Sequence, residues 1–271
     1  MKARAILLTG LCVAAVGAFA DTTSANVFGL LKVTSSAAQT IVAVPWLECG
    51  GSGSTISASN VVKTAELTVG DQLYYYNGSS YDAWTLTESA GVKVWASVFS
   101  VAKPGKVTIA AASTVQSIAR GGALILVRQS PASLGYFYLY GQVAGDTSVT
   151  TPITASSNGN PVYNLVAPPS VKDGGTIDIN STSDVEWANV GAADTIMLPV
   201  GGEAVECQRK DGAWKYLVRV QDGTIGTLPR YVDTWVAAPT IPTGTGFWYV
   251  SRTATAPTVT WRNVPSTGAA E

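Results

Sequence analysis

The stretch IPTGTGFWYVSRTATAPTVTWRNV, residues Ile241–Val264, combines a glycine turn, a short apolar run ending in arginine, a turn with one proline, and a second run. An earlier stretch, IARGGALILVRQSPASLGYFYLYGQV at Ile118–Val143, has the same order of features. Gly and Pro mark turns between short apolar runs, so each stretch predicts a β-hairpin. Two similar hairpins in one chain indicate an internal duplication.

The duplication predicts two repeat units, at residues 37–143 and 161–265. In each unit a hairpin with a central tryptophan precedes the aromatic hairpin, so Trp84 and Trp214 are predicted to occupy equivalent positions. Trp248 is predicted to belong to the same repeat core. Residues 144–160, rich in Thr and Ser, are predicted to connect the units, and residues 266–271 to form a tail.

The fold class expected from these patterns is all-β, with two similar β-sandwich or barrel-like units. Turn signals recur roughly every 8–12 residues, and no segment has the spacing of a long helix. A single larger sandwich or barrel made from both halves is the alternative architecture.

Residues 1–20 have the features of a signal peptide. Lys2 and Arg4 precede an apolar run, and Ala18-Phe19-Ala20 has the small-x-small pattern of a cleavage site. The mature chain is therefore expected to begin at Asp21 and to be secreted or displayed at the cell surface.

Composition narrows the classes of function. The chain has 17 Lys+Arg, 18 Asp+Glu and no His, and only 13% of its residues are charged. No basic footprint for nucleic acid and no polybasic segment for a membrane surface is present in the sequence. Without histidine, Ser-His-Asp and Cys-His catalysis are excluded. The acids occur mostly in turn contexts, so we expect no enzyme, no cofactor and no metal site.

Cys49 and Cys207 are the two cysteines of the mature chain. In an oxidising compartment they could form a disulfide between the halves. Two separate buried thiols are the alternative, and the sequence does not decide between them.

Rows of tyrosine are the candidate binding residues. Alternate residues of a strand face opposite sides, so Tyr136, Tyr138 and Tyr140 are predicted to share one face. Tyr74 and Tyr76 form a similar pair. Such rows could stack on the sugar rings of an extracellular glycan, or they could pack as half-buried contacts within the protein or between subunits.

The first mature strand lies in Asp21–Ser36, outside both predicted units. Its apolar residues are candidates for an assembly strand, because no partner within the unit is evident and an unpaired strand must complete a sheet edge. Pairing with the next subunit would give a filament by strand addition, and pairing within the chain would give a monomer. These residues are Val27, Phe28, Leu30, Leu31 and Val33.

Two segments carry a family resemblance. The opening NVFGLLKVTSSAAQTIVAVPW at Asn26–Trp46 and the closing GTGFWYVSR at Gly244–Arg252 resemble motifs of uncharacterised secreted proteins. These proteins form large paralogous sets in planctomycete- and verrucomicrobium-like bacteria. The resemblance implies a secreted β protein and brings no catalytic residues, since none are established for the family.

Taken together, these features predict a non-enzymatic structural subunit of an extracellular fibre, coat or matrix, whose partners are copies of itself. A carbohydrate-binding or adhesive module that uses the tyrosine rows is the alternative. Ordered assemblies would favour the first interpretation, and binding of glycans by the monomer would favour the second.

Overall fold

A computed structural model of the chain describes residues 28–34, 38–47, 55–76, 80–97, 109–111, 117–129, 135–143, 147–169, 175–200, 203–225 and 227–262. These residues form an all-β structure with a single short helix, α1 Ala58–Val61. The predicted signal peptide, Val27, Cys49 and the predicted tail lie outside the described residues.

The first unit, as the term is used below, is residues 28–143 where described. Its strands are β1 Phe28–Thr34, β2 Gln39–Ala43, β3 Thr55–Ser57, β4 Gln72–Tyr76, β5 Tyr81–Ser89, β6 Val92–Ser97, β7 Ile109–Ala111, β8 Ser117–Ala119, β9 Ala123–Val127 and β10 Tyr136–Gln142. The main sheet has the order β2-β9-β4-β5-β6, and β7 lies parallel to β5. Two smaller antiparallel pairs, β1-β10 and β3-β8, complete this unit.

The second unit is residues 147–262 where described. Its strands are β11 Ser148–Pro152, β12 Val162–Val166, β13 Thr176–Ile177, β14 Val185–Ala188, β15 Thr195–Val200, β16 Glu203–Lys210, β17 Ala213–Ile225, β18 Leu228–Ala237, β19 Ile241–Pro242, β20 Phe247–Ser251 and β21 Thr258–Arg262. The main sheet has the order β12-β20-β15-β16-β17-β18, beside the smaller sheets β11-β21-β14 and β13-β19. No sheet closes on itself within the described residues.

The two predicted aromatic hairpins are not hairpins. In Ile118–Val143, β9 belongs to the main sheet and β10 pairs with β1. In Ile241–Val264, β20 and β21 are likewise in different sheets. The physical reason is that β2 and β4 occupy both edges of β9, and β12 and β15 occupy both edges of β20, so neither strand has an edge left for the strand that follows it.

Of the two pairings left open for the first mature strand, the structure shows the one within the chain. β1 pairs antiparallel with β10 over its whole length, from Phe28 opposite Gln142 to Thr34 opposite Tyr136. The predicted connector contains a strand in the corresponding place, because β11 pairs with β21. A lone valine, Val149, is the apolar residue of β11 that packs on the core, which is too little for an apolar stripe in the sequence.

The predicted equivalence of Trp84 and Trp214 fails on register. Trp84 of β5 lies opposite Leu73 of β4. The residue at this place in the second unit is Cys207 of β16, which lies opposite Ile196 of β15. Trp214 lies one strand further on, as Trp95 does in β6. The register of the two units can also be compared at a buried aspartate, Asp71 in the first and Asp194 in the second. The backbone N–H that reaches the buried aspartate of each unit belongs to Gln129 in the first and to Arg252 in the second.

Each unit has its own hydrophobic core, built from the facing sides of its sheets. The first core contains Trp84 and Leu126 of the main sheet with Phe137 and Leu139 of β10. The second contains Trp214 and Tyr249 of its main sheet with Trp261 of β21. Apolar residues therefore alternate along β10, whose even-numbered tyrosines are half-buried and whose odd-numbered residues are buried.

A third apolar cluster joins the units and explains the continuous apolar runs of β2 and β9. One face of these strands lines the first core, and the other face meets the second unit. The residues of this cluster are Ile41, Ala43, Ala123 and Ala167, with Leu165 and Trp248 packed against them. Two backbone hydrogen bonds cross between the units here, from Ala43 N–H to Gly244 O (2.9 Å) and from Gly246 N–H to Ile41 O (3.0 Å).

Turn glycines allow this close approach. Gly244 has φ +82°, and a Cβ there would lie 2.5 Å from Val33 Cγ2 of β1. Gly121 of the first unit has φ +84°, and a Cβ there would lie 2.5 Å from Thr151 Oγ1 of β11. Each glycine thus contacts the first strand of the other unit, where any side chain would collide.

We expect Gly244→Ala to destabilise the protein more than Gly212→Ala. Both positions have positive φ, at +82° and +79°, so both changes carry backbone strain of about 1–2 kcal/mol. Only Gly244 also faces side chains of the other unit, which adds roughly 1–3 kcal/mol of overpacking. Urea unfolding of the two variants measures the difference, and equal losses would contradict the proposed packing between the units.

Candidate functional site

Strands β17 and β18 form a long two-stranded ribbon, which is the candidate functional surface. β16 pairs with β17 only at Ala213–Lys215, whereas β17 continues to Ile225 against β18. The ribbon, defined as residues 216–236, therefore extends beyond the sheet. The register shifts between Gln221 and Thr224, and Gly223 there has φ +81°.

The ribbon concentrates exposed apolar side chains. Large hydrophobic residues that are exposed among the described residues number ten, and five of them lie on the ribbon. These five, with their exposed fractions, are Leu217 49%, Val220 45%, Leu228 71%, Tyr231 51% and Trp235 39%. Leu217 lies opposite Trp235 and Val220 opposite Val232, so both faces of the ribbon are apolar.

An isolated two-stranded hairpin is marginally stable in water, and exposed apolar patches of this kind mark interaction sites. The charges of residues 213–237 nearly balance, with Lys215, Arg219 and Arg230 against Asp222 and Asp233. Arg219 and Asp233 pair across the ribbon at 3.7 Å. β18 is the last strand of its sheet, so its outer edge has no partner strand among the described residues.

The tyrosine row of β10 lies beside lysines. Lys32 Nζ is 4.1 Å from the centre of the Tyr136 ring, and Lys63 Nζ is 4.0 Å from that of Tyr140. Tyr136 and Tyr138 contact each other edge to face, with centroids 5.6 Å apart. Cation–π contacts therefore cover a face of two of the three rings.

Tyr74 and Tyr76 belong to an aromatic cluster that crosses between the units. Tyr81 contacts both of them, with centroid distances of 6.3 Å and 5.0 Å. Tyr76 then packs edge to face on Trp248 at 5.7 Å, and Trp248 on Tyr163 at 6.3 Å. Trp248 is half-buried at this boundary between the units, whereas Trp84 and Trp214 are fully buried inside their units.

The candidate assembly residues of β1 are divided between its two faces. Val33 is buried in the first core and Leu31 packs against that core, whereas Leu30 is exposed. The backbone of Phe28 pairs with Gln142. These positions contribute to the fold of their own chain.

Buried carboxylates are the residues that sequence reasoning missed. Asp71 is fully buried, and it accepts hydrogen bonds from the backbone N–H of Thr68 (2.9 Å) and of Gln129 (2.8 Å). Its position directly after the turn glycine Gly70 is typical of a solvated turn residue, and its burial becomes evident only in the packed structure. A buried carboxylate of this kind ties a turn to the end of a strand elsewhere in the sheet.

Asp194 makes the same type of contact in the second unit. It accepts from the backbone N–H of Gly191 (2.8 Å) and of Arg252 (2.7 Å), and from the Tyr249 hydroxyl (2.7 Å). Burial and this hydroxyl contact raise the pKa of Tyr249 above its ordinary value, so the phenol stays protonated and donates. Both carboxylates therefore hold the fold together.

Cys207 is a free, buried thiol on β16, and its predicted partner Cys49 lies outside the described residues. Burial, with a smaller contribution from Glu206, raises the pKa of the Cys207 thiol to about 12. A thiol of this kind is neutral and unreactive at physiological pH.

Comparison with known proteins adds no family. No protein-family model, no curated protein and no solved structure matches the chain. Among the described residues, no group of three or more Cys, Asp or Glu side chains is arranged to hold a metal ion. No helix in the described ranges has the length and apolar character needed to span a membrane.

We expect Asp194→Asn to lower the free energy of unfolding by about 1–3 kcal/mol, because an amide cannot accept from all three donors at once. Urea denaturation measures the loss. Asp233→Asn is the matched control, since Asp233 is an exposed member of an ion pair and its loss should stay within about 0.5 kcal/mol. Similar losses at the two positions would contradict the role given to Asp194.

Cys207 should resist alkylation in the folded protein near neutral pH. The test uses residues 21–271 with Cys49→Ser, which leaves Cys207 as the single cysteine. We expect maleimide to modify it only after unfolding in urea, as followed by mass spectrometry. Rapid labelling of the folded protein would contradict the buried position.

The same thiol should make the protein sensitive to alkali. Its pKa is raised from 9.0 to about 12, so its contribution to stability is complete below pH 9. Between pH 9 and pH 12 the unfolded thiol ionises while the folded one cannot, and that contribution is lost. Cys207→Ser in the same background should show a smaller loss of stability over this range in urea titrations.

Proposed function

We propose that the protein is a secreted structural subunit of an extracellular coat, fibre or matrix, and that copies of it associate through the ribbon. The ribbon carries this proposal, because it presents apolar side chains on both faces of an extension that has too little contact with its own unit to be stable alone. Its nearly balanced charge suits another neutral protein surface and offers no attraction to a polyanion.

The assembly surface differs from the one expected from the sequence. Strand exchange through β1 required an unpaired strand, and β1 is paired with β10 along its whole length. The ribbon, by contrast, has an outer edge, β18, at the end of a sheet. Pro229, Arg230 and Asp233 on that strand are of the types that discourage pairing of edges, so we place the contact on the faces of the ribbon.

An internal duplication is part of the proposal. It is supported by the order of pairing, since β2-β9-β4-β5-β6 in the first unit has a counterpart in β12-β20-β15-β16-β17 in the second. The turn glycines Gly121 and Gly244 and the carboxylates Asp71 and Asp194 make corresponding contacts in the two units. On this basis the units include β1 and β11, and begin earlier than the sequence pattern indicated.

Secretion and the proposed family remain predictions. They are supported by the composition of residues 1–20 and by the motifs of Asn26–Trp46 and Gly244–Arg252. A non-enzymatic role is supported by the lack of histidine in the sequence and by the structural use of Asp71 and Asp194. Glycan binding through the tyrosines of β10 is less favoured, because lysine ammonium groups cover two of the rings.

The test is to trim the ribbon. Tyr216 and Val236 are cross-strand partners, so Asn-Gly in place of residues 217–235 would close the hairpin with a type I′ turn. We expect the mature wild type to associate with increasing concentration in sedimentation velocity and to form assemblies visible by electron microscopy. The trimmed variant should remain monomeric and should keep a cooperative unfolding transition in urea, which shows that the remaining strands are folded.

A point variant separates the ribbon from exposed apolar residues in general. Leu217→Lys should weaken association, whereas Val92→Lys, at a residue 60% exposed on the β5–β6 hairpin, should leave it unchanged. Assembly by the trimmed variant would refute the role of the ribbon. A wild type that is monomeric at every concentration would refute the proposed function itself.

A further inference from the structure

Two clefts occupy the same place in the two units. The cleft of the first unit, about 340 Å³, is lined by Asn60, Lys63, Lys93, Trp95 and Tyr140 among others. The cleft of the second unit, about 360 Å³, is lined among others by Asn180, Glu186, Trp187, Arg209, Trp214 and Arg262. Both volumes are at the lower end of the range for small-molecule sites.

The strand register shows that the positions correspond. Val62 bridges to Leu139 of β10, as Val185 pairs with Trp261 of β21, and both valines line their clefts. The residue that follows Leu139 on β10 is Tyr140, and the residue that follows Trp261 on β21 is Arg262. Each of these two residues lines its cleft on the side opposite the valine.

The tryptophans of the clefts correspond too. Each follows a turn with two positive φ angles, Ala90-Gly91 before Trp95 and Asp211-Gly212 before Trp214. Trp95 pairs with Leu86 of β5, and Trp214 with Arg209 of β16. Both are buried, at 8% and 1% exposed, so each forms part of the packed floor of its cleft and presents little ring surface to it.

Both clefts carry positive charge in a chain whose net charge is −1. The first is lined by Lys63 and Lys93 and by no acid. Lys93 is held in place because its Nζ donates to the carbonyls of Leu67 (2.6 Å) and Ala65 (3.2 Å). The second has Arg209 and Arg262 against Glu186, which pairs with Arg262 at the rim.

Neither indole N–H has an acceptor within the protein, although both are buried. Each N–H lies inside the protein and does not face the open space of its cleft. Trp46 and Trp84 share this feature and line neither cleft, so an indole N–H without an acceptor does not by itself mark a binding site. The charge and the matching positions of the clefts distinguish them.

We propose that the two clefts bind anionic sugar rings, the uronic acid residues of an acidic glycan, with one ring in each cleft. In the second cleft the half-buried Trp187 offers apolar surface to the ring. The lysine or arginine groups attract and hold the carboxylate by charge-assisted hydrogen bonds. This binding is independent of assembly through the ribbon.

The test is calorimetric titration of the mature protein with tetragalacturonate, which has one carboxylate per ring, and with neutral cellotetraose. We expect the acidic oligomer to bind at two sites per chain, more weakly as salt is added, and the neutral oligomer not to bind. Galacturonate monomer is the third probe. Equal affinity per ring for the monomer points to free uronates as ligands, and a gain with the tetramer points to a polysaccharide.

Variants assign the sites. Lys63→Gln and Arg262→Gln should each weaken one site roughly tenfold, since each removes a charged donor, and the double variant should lose both sites. Lys32→Gln is the matched control, because Lys32 is an exposed lysine that lies over Tyr136 on the same strand as Tyr140 and lines neither cleft. Retained binding by the double variant, equal weakening by the control, equal binding of cellotetraose, or no binding of any probe would overturn the proposal.

Discussion

Close contact between two backbones at the boundary of the units is the constraint on which the rest of the structure depends. β2 and β9 lie close to Ala167 and Gly244 of the second unit, because these two residues and Ala43 have little or no side chain to separate the chains. β2 and β9 can therefore be apolar on both faces, because one face lines the first core and the other meets the second unit. The turn glycines then fix where β1 and β11 lie, since each strand packs against the turn of the opposite unit.

The two units differ after their tryptophan hairpins, and this difference gives the molecule an asymmetric surface. In the first unit β7 returns to lie parallel to β5, opposite Tyr81–Ala83. In the second unit the chain runs out into the ribbon, and β16 has no corresponding strand beside Ala204–Glu206 among the described residues. The ribbon is therefore the part of the second unit that has no counterpart among the described residues of the first.

Charge is sparse in this chain, and its placement therefore carries information. Among the described residues three carboxylates, Asp71, Asp184 and Asp194, are buried, and so are two arginines, Arg120 and Arg128. The clefts are positive because of the lysines and arginines that line them, although the chain as a whole is slightly acidic. Self-association and glycan binding would then use different surfaces, the ribbon for one and the clefts for the other.

The sequence by itself determined the all-β class, because period-2 alternation, turn glycines and prolines act locally. Alternation in Tyr136–Gln142 is an example, since it depends only on the geometry of a single strand. Strand partners are long-range choices, so only the tertiary structure decided that β9 and β10 belong to different sheets and that β1 pairs with β10. The buried state of Asp71, the register that matches Trp214 with Trp95, and the clefts likewise depend on residues far apart in the chain. No local pattern encodes them, because the contacts that define them form only when the sheets pack.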